Sequence, residues 1–156
     1  MRSTAALFAV LSIGLVRGTS VSHAQTLSTQ QRQDILAYQL DLPRANHLII
    51  AMQAMTRYMV SLPDFQERLV KSMKMTPAER RAQMEKDPKA MAILKENGLT
   101  PPEYLTGVPA LRMALLTAQG TGGPNIVASP GNTAFAKANL AELKPKMDAA
   151  DGVSPR

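Results

Sequence analysis

Apolar residues recur every three or four positions along most of this chain, which is the spacing of a helix surface. The clearest stripe lies between Pro43 and Pro63, at intervals of four, three, four and three, and consists of Leu48, Met52, Met55, Met59 and Leu62. Further apolar residues on either side leave this segment little polar surface, so it is predicted to be the buried central helix. Strand-like patterning is confined to "NIVAS" at 125–129. The chain is therefore predicted to be all-α.

Capping residues, prolines and glycines divide the rest of the chain into further short helices. Helices are predicted to begin at Ser28 or Thr29, at Pro43, at Asp64, at Thr76 with Pro77, at Asp87 with Pro88, and at Thr100. The first is expected to end near Leu40, the third near Met73 and the fifth at Gly98. Gly107 and Pro109 predict that the sixth helix kinks or breaks at 106–108.

A glycine-rich segment separates the last predicted helix from the others. The stretch 120–132, "GTGGPNIVASPGN", contains four glycines and two prolines and is predicted to be a loop. The helix after it is expected at about 133–149, with Pro145 kinking it or ending it at Leu143. The tail, 151–156, is expected to be disordered. These boundaries predict a compact bundle of about six or seven short helices in one domain, 25–150.

The first 24 residues have the composition of a secretory leader. Arg2 is followed by an apolar run from Ala5 to Val16, and Ser22 and Ala24 are the small residues that a signal peptidase requires. The run is shorter than the roughly 20 residues that span a bilayer. We therefore expect a Sec-type signal peptide, 1–24, cleaved after Ala24, and a periplasmic or secreted product without a transmembrane segment.

Composition limits the chemistry that the exported chain can perform. The full chain has 18 basic and 12 acidic residues, and the leader removes Arg2 and Arg17, which leaves a net charge of +4. This mild excess, with only 3 Phe and 3 Tyr, argues against nucleic acid as a partner. The absence of cysteine excludes thiol catalysis, thiolate metal sites and disulfides. No cofactor is predicted.

Three short segments, "LSTQQRQ", "MTPAERR" and "LTPPEYL", share an apolar residue, then Ser or Thr, then Gln or Glu three positions later. In a capping box the hydroxyl side chain accepts from the third helical N–H, while the Gln or Glu side chain accepts from the backbone N–H of the cap. The predicted pairs are Ser28 with Gln31, Thr76 with Glu79, and Thr100 with Glu103. Leu99 is also placed to pack on Tyr104 as a hydrophobic staple.

The same three segments resemble the LTxxQ motif of the small helical periplasmic chaperones of the Spy and CpxP type. That resemblance implies an all-α, usually dimeric cradle that shields unfolded clients or senses envelope stress. Ser28 stands in place of Thr, Met75 in place of Leu, and Glu79 and Glu103 in place of Gln.

A second resemblance covers roughly Ile35 to Met147. The Gly-Leu-Thr-x-x-Glu-Tyr turn at 98–104 and the Asn-x-x-Phe helix start at 132–135 are similar to those of small exported bacterial proteins of unassigned function. This resemblance implies the fold boundaries and leaves the activity open.

The sequence allows a catalytic site and a metal site to be considered. His47 is the one histidine after the leader, so a serine triad would need it, but it lies near the start of an apolar helix. Zinc would need mainly carboxylate ligands, and no HExxH occurs. Met52, Met55 and Met59 could bind copper(I) through their thioethers, although methionine also fills irregular cores.

The acidic residues fall mostly at helix starts, where the helix dipole favours them. The one local basic cluster consists of Lys71, Lys74, Arg80 and Arg81, around a turn. It could be a solvated surface, or it could contact anionic lipid headgroups or an acidic partner. The sequence favours an exported, non-enzymatic binding or interaction protein with an unknown protein or envelope component as partner. An LTxxQ-type chaperone or stress sensor is the alternative, and an unrecognised enzyme is the third possibility.

Overall fold

The computed structural model describes residues 27–121, 123 and 126–152, so the predicted leader lies outside the described residues. These residues form helices and no strand, as the hydrophobic pattern predicts. There are eight described helices: α1 (Thr29–Ala37), α2 (Leu42–Ser61), α3 (Phe65–Lys74), α4 (Pro77–Glu85), α5 (Pro88–Glu96), α6 (Pro101–Ala118), α7 (Pro130–Ala138) and α8 (Leu140–Ala150). The predicted number, about six or seven, is too low by one or two, in part because the last predicted helix is in fact two helices, α7 and α8.

Helices α2 and α6 form the centre of the described fold. Helix α2 packs against α5, α6 and α8, and α6 packs most extensively against α7. The main apolar cluster takes six buried residues from α2, namely Ala45, Leu48, Ile49, Ala51, Met52 and Met55. A smaller cluster of Ile35, Ala110 and Met113 holds α1 on α6. Among the described helices, none is both long and apolar enough to cross a membrane.

Helix α6 contains Gly107 and Pro109 without interruption, so the break predicted at 106–108 is absent. A Cβ at Gly107 would lie 2.8 Å from Cζ and Oη of Tyr38 and 2.9 Å from Cδ1 of Leu48. Glycine at this position lets α6 approach both the segment after α1 and the middle of α2. Gly107 therefore serves close packing between segments, which the absence of a side chain allows, and does not break the helix.

The C-terminal part differs from the sequence expectation in three ways. The loop predicted for 120–132 ends earlier, because Ser129 caps α7, which begins at Pro130. The helix predicted at about 133–149 is interrupted at Asn139, whose side-chain amide donates to the Phe135 carbonyl. Pro145 does not end α8: the carbonyl that would bond its missing N–H is that of Ala141, an exposed residue that water can reach.

Three further expectations are corrected by the structure. Helix α1 ends at Ala37 rather than near Leu40, since Tyr38 is extended. Asp64 makes no capping hydrogen bond to α3 and instead pairs with Arg68, 2.8 Å away. The tail is ordered at its start: Asp151 follows α8 in a turn and pairs with Arg112 of α6, while 153–156 lie outside the described residues.

Candidate functional site: the exposed side of helix α3

The three predicted capping motifs all form reciprocal hydrogen bonds within their own helix starts. The Ser28 hydroxyl oxygen accepts from the Gln31 N–H at 3.2 Å, and the Gln31 side chain accepts from the Ser28 N–H at 2.9 Å. Glu79 accepts from both the N–H and the hydroxyl of Thr76, at 2.7 and 2.8 Å. The side chains of these motifs are thus occupied by local bonds that begin α1, α4 and α6.

The motif at "LTPPEYL" has the same geometry, and its hydrogen bonds lower the pKa of a glutamate. The Thr100 hydroxyl and N–H donate to Glu103 at 2.7 and 2.9 Å, and these bonds lower the pKa of Glu103 from its ordinary 4.5. Leu99 is buried in the main cluster and Tyr104 packs against that cluster, where burial raises the pKa of Tyr104 to about 12.

Replacing Thr100 by Ala is expected to lower the free energy of unfolding by about 1 kcal/mol. A lowered pKa stabilises the fold above the unfolded value of 4.5, and this contribution is lost as the pH falls through the folded pKa. The pKa of Glu103, followed by NMR, should therefore rise towards 4.5 in T100A. An unchanged pKa together with unchanged stability would show that the capping box contributes nothing to the folded state.

The residues considered for metal or catalytic chemistry occupy different environments in the described fold. Met52 and Met55 are buried in the main cluster and Met59 packs against it, so the methionine stripe contributes to the core. The Met52 sulfur accepts from the Arg112 guanidinium at 3.4 Å. His47 is exposed near the start of α2.

Most described carboxylates make structural bonds. Asp41 and Asp87 accept from backbone N–H groups at the starts of α2 and α5, and Asp87 also accepts from the Tyr58 hydroxyl at 2.9 Å. That hydrogen bond raises the pKa of Tyr58. Ion pairs engage five more acids, in the pairs Asp64–Arg68, Glu85–Arg81, Glu142–Lys146, Asp148–Lys144 and Asp151–Arg112. In the described part of the chain, no group of acids or histidines is arranged to hold a metal ion.

Asp151 is the acid whose environment departs most from that of a surface carboxylate. Burial raises its pKa above the ordinary 3.8, and the opposing effect of the Arg112 guanidinium does not cancel this shift. The pair joins the end of α8 to α6 beside Met52. This contact positions the end of the described chain and belongs to the scaffold.

The predicted basic cluster does not form one uniform surface. Arg80 is half-buried on α4, and its Nε is buried without a hydrogen-bond partner among the described residues. Arg81 is exposed and pairs with Glu85 at 2.7 Å. Lys71 and Lys74 remain exposed on α3 and make no ion pair with a described residue. Within this cluster, the basic residues that are available to an external partner are therefore chiefly these two lysines.

Exposed apolar side chains adjoin the two lysines. Val70 is 54% exposed and Met73 is 65% exposed, and they lie three residues apart on α3. Lys74 follows Val70 by four residues and therefore lies beside it on the helix surface. We define the α3 face as the exposed residues Gln66, Glu67, Val70, Lys71, Met73 and Lys74, most of which line a shallow, open depression along the helix.

Helix α3 differs from most other helices in how little the fold covers it. It has no buried residue, a property that it shares with α4, and its principal contact is with α2. Phe65 and Leu69 are half-buried and face the protein, which leaves Val70 and Met73 outside. Sequence reasoning missed these two residues, although α3 is only ten residues long and carries four large apolar side chains.

No protein-family model, curated protein or solved structure matches this chain.

Proposed function

We propose that this protein is an exported, non-enzymatic interaction module that binds its partner through the α3 face. The observation that supports this proposal is the exposure of Val70 and Met73, one turn apart, on a helix that contributes no buried residue to the described core. Adjacent exposed apolar side chains with charged neighbours are typical of contact surfaces. Export rests on the leader predicted for 1–24.

The non-enzymatic part of the proposal rests on how the polar side chains are used. The carboxylates described above cap helices or form ion pairs, and His47 is an exposed residue of α2 that does not belong to the α3 face. Catalysis requires a general acid, a base or a nucleophile close to a bound substrate. The α3 face offers Glu67 and two lysines on an open helix surface, which suits binding better than catalysis.

Photo-crosslinking in the producing cells tests the proposal. A photoreactive benzoylphenylalanine replaces Gln66 on the α3 face or, as a control, the exposed Ala134 on α7. We expect adducts from position 66 and not from position 134, because the partner covers α3. Equal labelling at the two positions, or none at either, would contradict the proposal.

A chaperone of the LTxxQ kind is the second candidate, and two other exposed residues favour it. Ile50 is 50% exposed and Val60 is 42% exposed, so apolar surface extends beyond α3. A chaperone would suppress aggregation of a reduced, unfolded client at near-stoichiometric ratios. The proposed interaction module would leave aggregation unchanged, so this assay separates the two functions.

A further inference from the structure

We infer that the partner of the α3 face is an anionic lipid surface, to which the protein binds peripherally. This inference rests on the proposed function, because it names the partner of the same surface. Three properties of the described residues carry it: the order of apolar and basic side chains on α3, the shallow and open shape of that surface, and the absence of ion pairs between its lysines and other described residues.

The side chains of the α3 face are ordered as in a helix that lies in a membrane interface. Around the helix, Met73 and Val70 come first, with the polar Gln66 between them, and Lys74, Glu67 and Lys71 follow in that order. Such a helix buries its apolar side chains at the boundary between headgroups and acyl chains. Lysine stems can extend along that boundary while the ammonium groups reach the lipid phosphates.

The acids that lie next to the α3 face along the chain do not neutralise these lysines. Asp64 pairs with Arg68, one turn before the face, and Glu79 accepts from Thr76. Glu67 is the remaining acid on the face, and Lys71 and Lys74 outnumber it. Lysine ammonium groups near an anionic surface each strengthen binding about fivefold. The face therefore complements a negative surface.

Shape favours a membrane over an acidic protein. An amphipathic helix from another protein is usually recognised in a hydrophobic groove, where its apolar face is enclosed. The depression along α3 is shallow and open, and Val70 and Met73 stand more than half exposed instead of lining an enclosed groove. An open helix surface of this kind can lie against a planar membrane without enclosing it.

Vesicle co-sedimentation of the purified protein tests the inference, using phosphatidylcholine vesicles with and without phosphatidylglycerol. We expect binding only with phosphatidylglycerol, weakened by salt. K71Q/K74Q should bind about 25-fold more weakly, since two lysines each contribute about fivefold. The charge-matched control K89Q/K95Q, on exposed positions of α5, should bind as the parent does.

V70S/M73S should lose binding, whereas I50S, at an exposed position on α2, should retain it.

The chain has no tryptophan, so a single introduced indole reports its own environment. The emission of M73W should shift to the blue with phosphatidylglycerol vesicles, and that of I50W should not shift.

Equal binding to both vesicle types, or equal loss in the lysine pair and its control, would overturn the lipid assignment. If vesicle binding is absent while position 66 still crosslinks to a protein, the lipid assignment falls and the interaction module stands. Absence of both would refute both.

Discussion

Replacing Leu48 by Ala is expected to lower the free energy of unfolding by about 3 to 5 kcal/mol. Leu48 is fully buried in the main cluster, and its Cδ1 lies close to Gly107 in the middle of α6. The neighbouring helix backbones cannot move in to fill the space that the lost side chain leaves, so the variant should retain a cavity. Urea unfolding followed by circular dichroism measures the change.

The matched control for L48A lies two residues away on the same helix. Ile50 is 50% exposed, so I50A removes an aliphatic side chain of similar size from the other side of α2. Its free energy of unfolding should stay within about 0.5 kcal/mol of the parent. If the two variants lost equal stability, α2 would not pack its Leu48 side against α6.

Replacing Asn132 by Ala is expected to lower the free energy of unfolding by about 2 to 4 kcal/mol, because it leaves two backbone groups without their partners. Asn132 is 2% exposed, and its amide joins the start of α7 to the segment between α1 and α2. Its Nδ2 donates to the Tyr38 carbonyl at 2.7 Å, and its Oδ1 accepts from the Leu40 N–H at 3.0 Å. The change can be measured by urea unfolding.

A second variant separates this connection from the capping of α7. The Ser129 hydroxyl oxygen accepts from the Asn132 backbone N–H at 3.2 Å, a bond that N132A keeps. S129A removes the cap alone and should cost about 1 kcal/mol. A cost for N132A no larger than that for S129A would show that the contact with the segment between α1 and α2 adds nothing to stability.

Features with a local cause could be predicted from the sequence. The capping pairs at Ser28, Thr76 and Thr100 depend on residues three positions apart. Gly98 could be placed at the end of α5 because it takes a φ of 64°, which glycine adopts at little cost. The burial of Leu48, Met52 and Met55 on α2 followed from their spacing. The same spacing also included Leu62, which is half-buried and follows the end of α2.

Features whose cause lies far along the chain could not be predicted in this way. Any glycine has the same helix-breaking tendency in the sequence. The packing role of Gly107 depends on Tyr38 and Leu48, which lie on other segments. Asn132 lies in a glycine-rich sequence typical of loops, and its partners lie 92 and 94 residues away. In each case, the local sequence is compatible with two structures, and tertiary contacts decide which of them forms.

The candidate site illustrates the same limit. The sequence indicated Lys71 and Lys74 as part of a basic cluster, and it also included Arg80, which the fold half buries. It could not indicate that Val70 and Met73 remain exposed, since apolar residues on an amphipathic helix normally face a core. Exposure depends on which neighbouring helices cover α3, and its principal contact is with α2.

The central claim is that the apolar side chains of the α3 face serve binding and not stability. The most direct measurement is the free energy of unfolding of V70S/M73S, determined by urea titration on the same preparation used for vesicle binding. We predict a value within about 0.5 kcal/mol of the parent, as for exposed positions, together with the loss of vesicle binding. A decrease of about 2 kcal/mol or more, approaching that of L48A, would place both side chains in the core and contradict the claim.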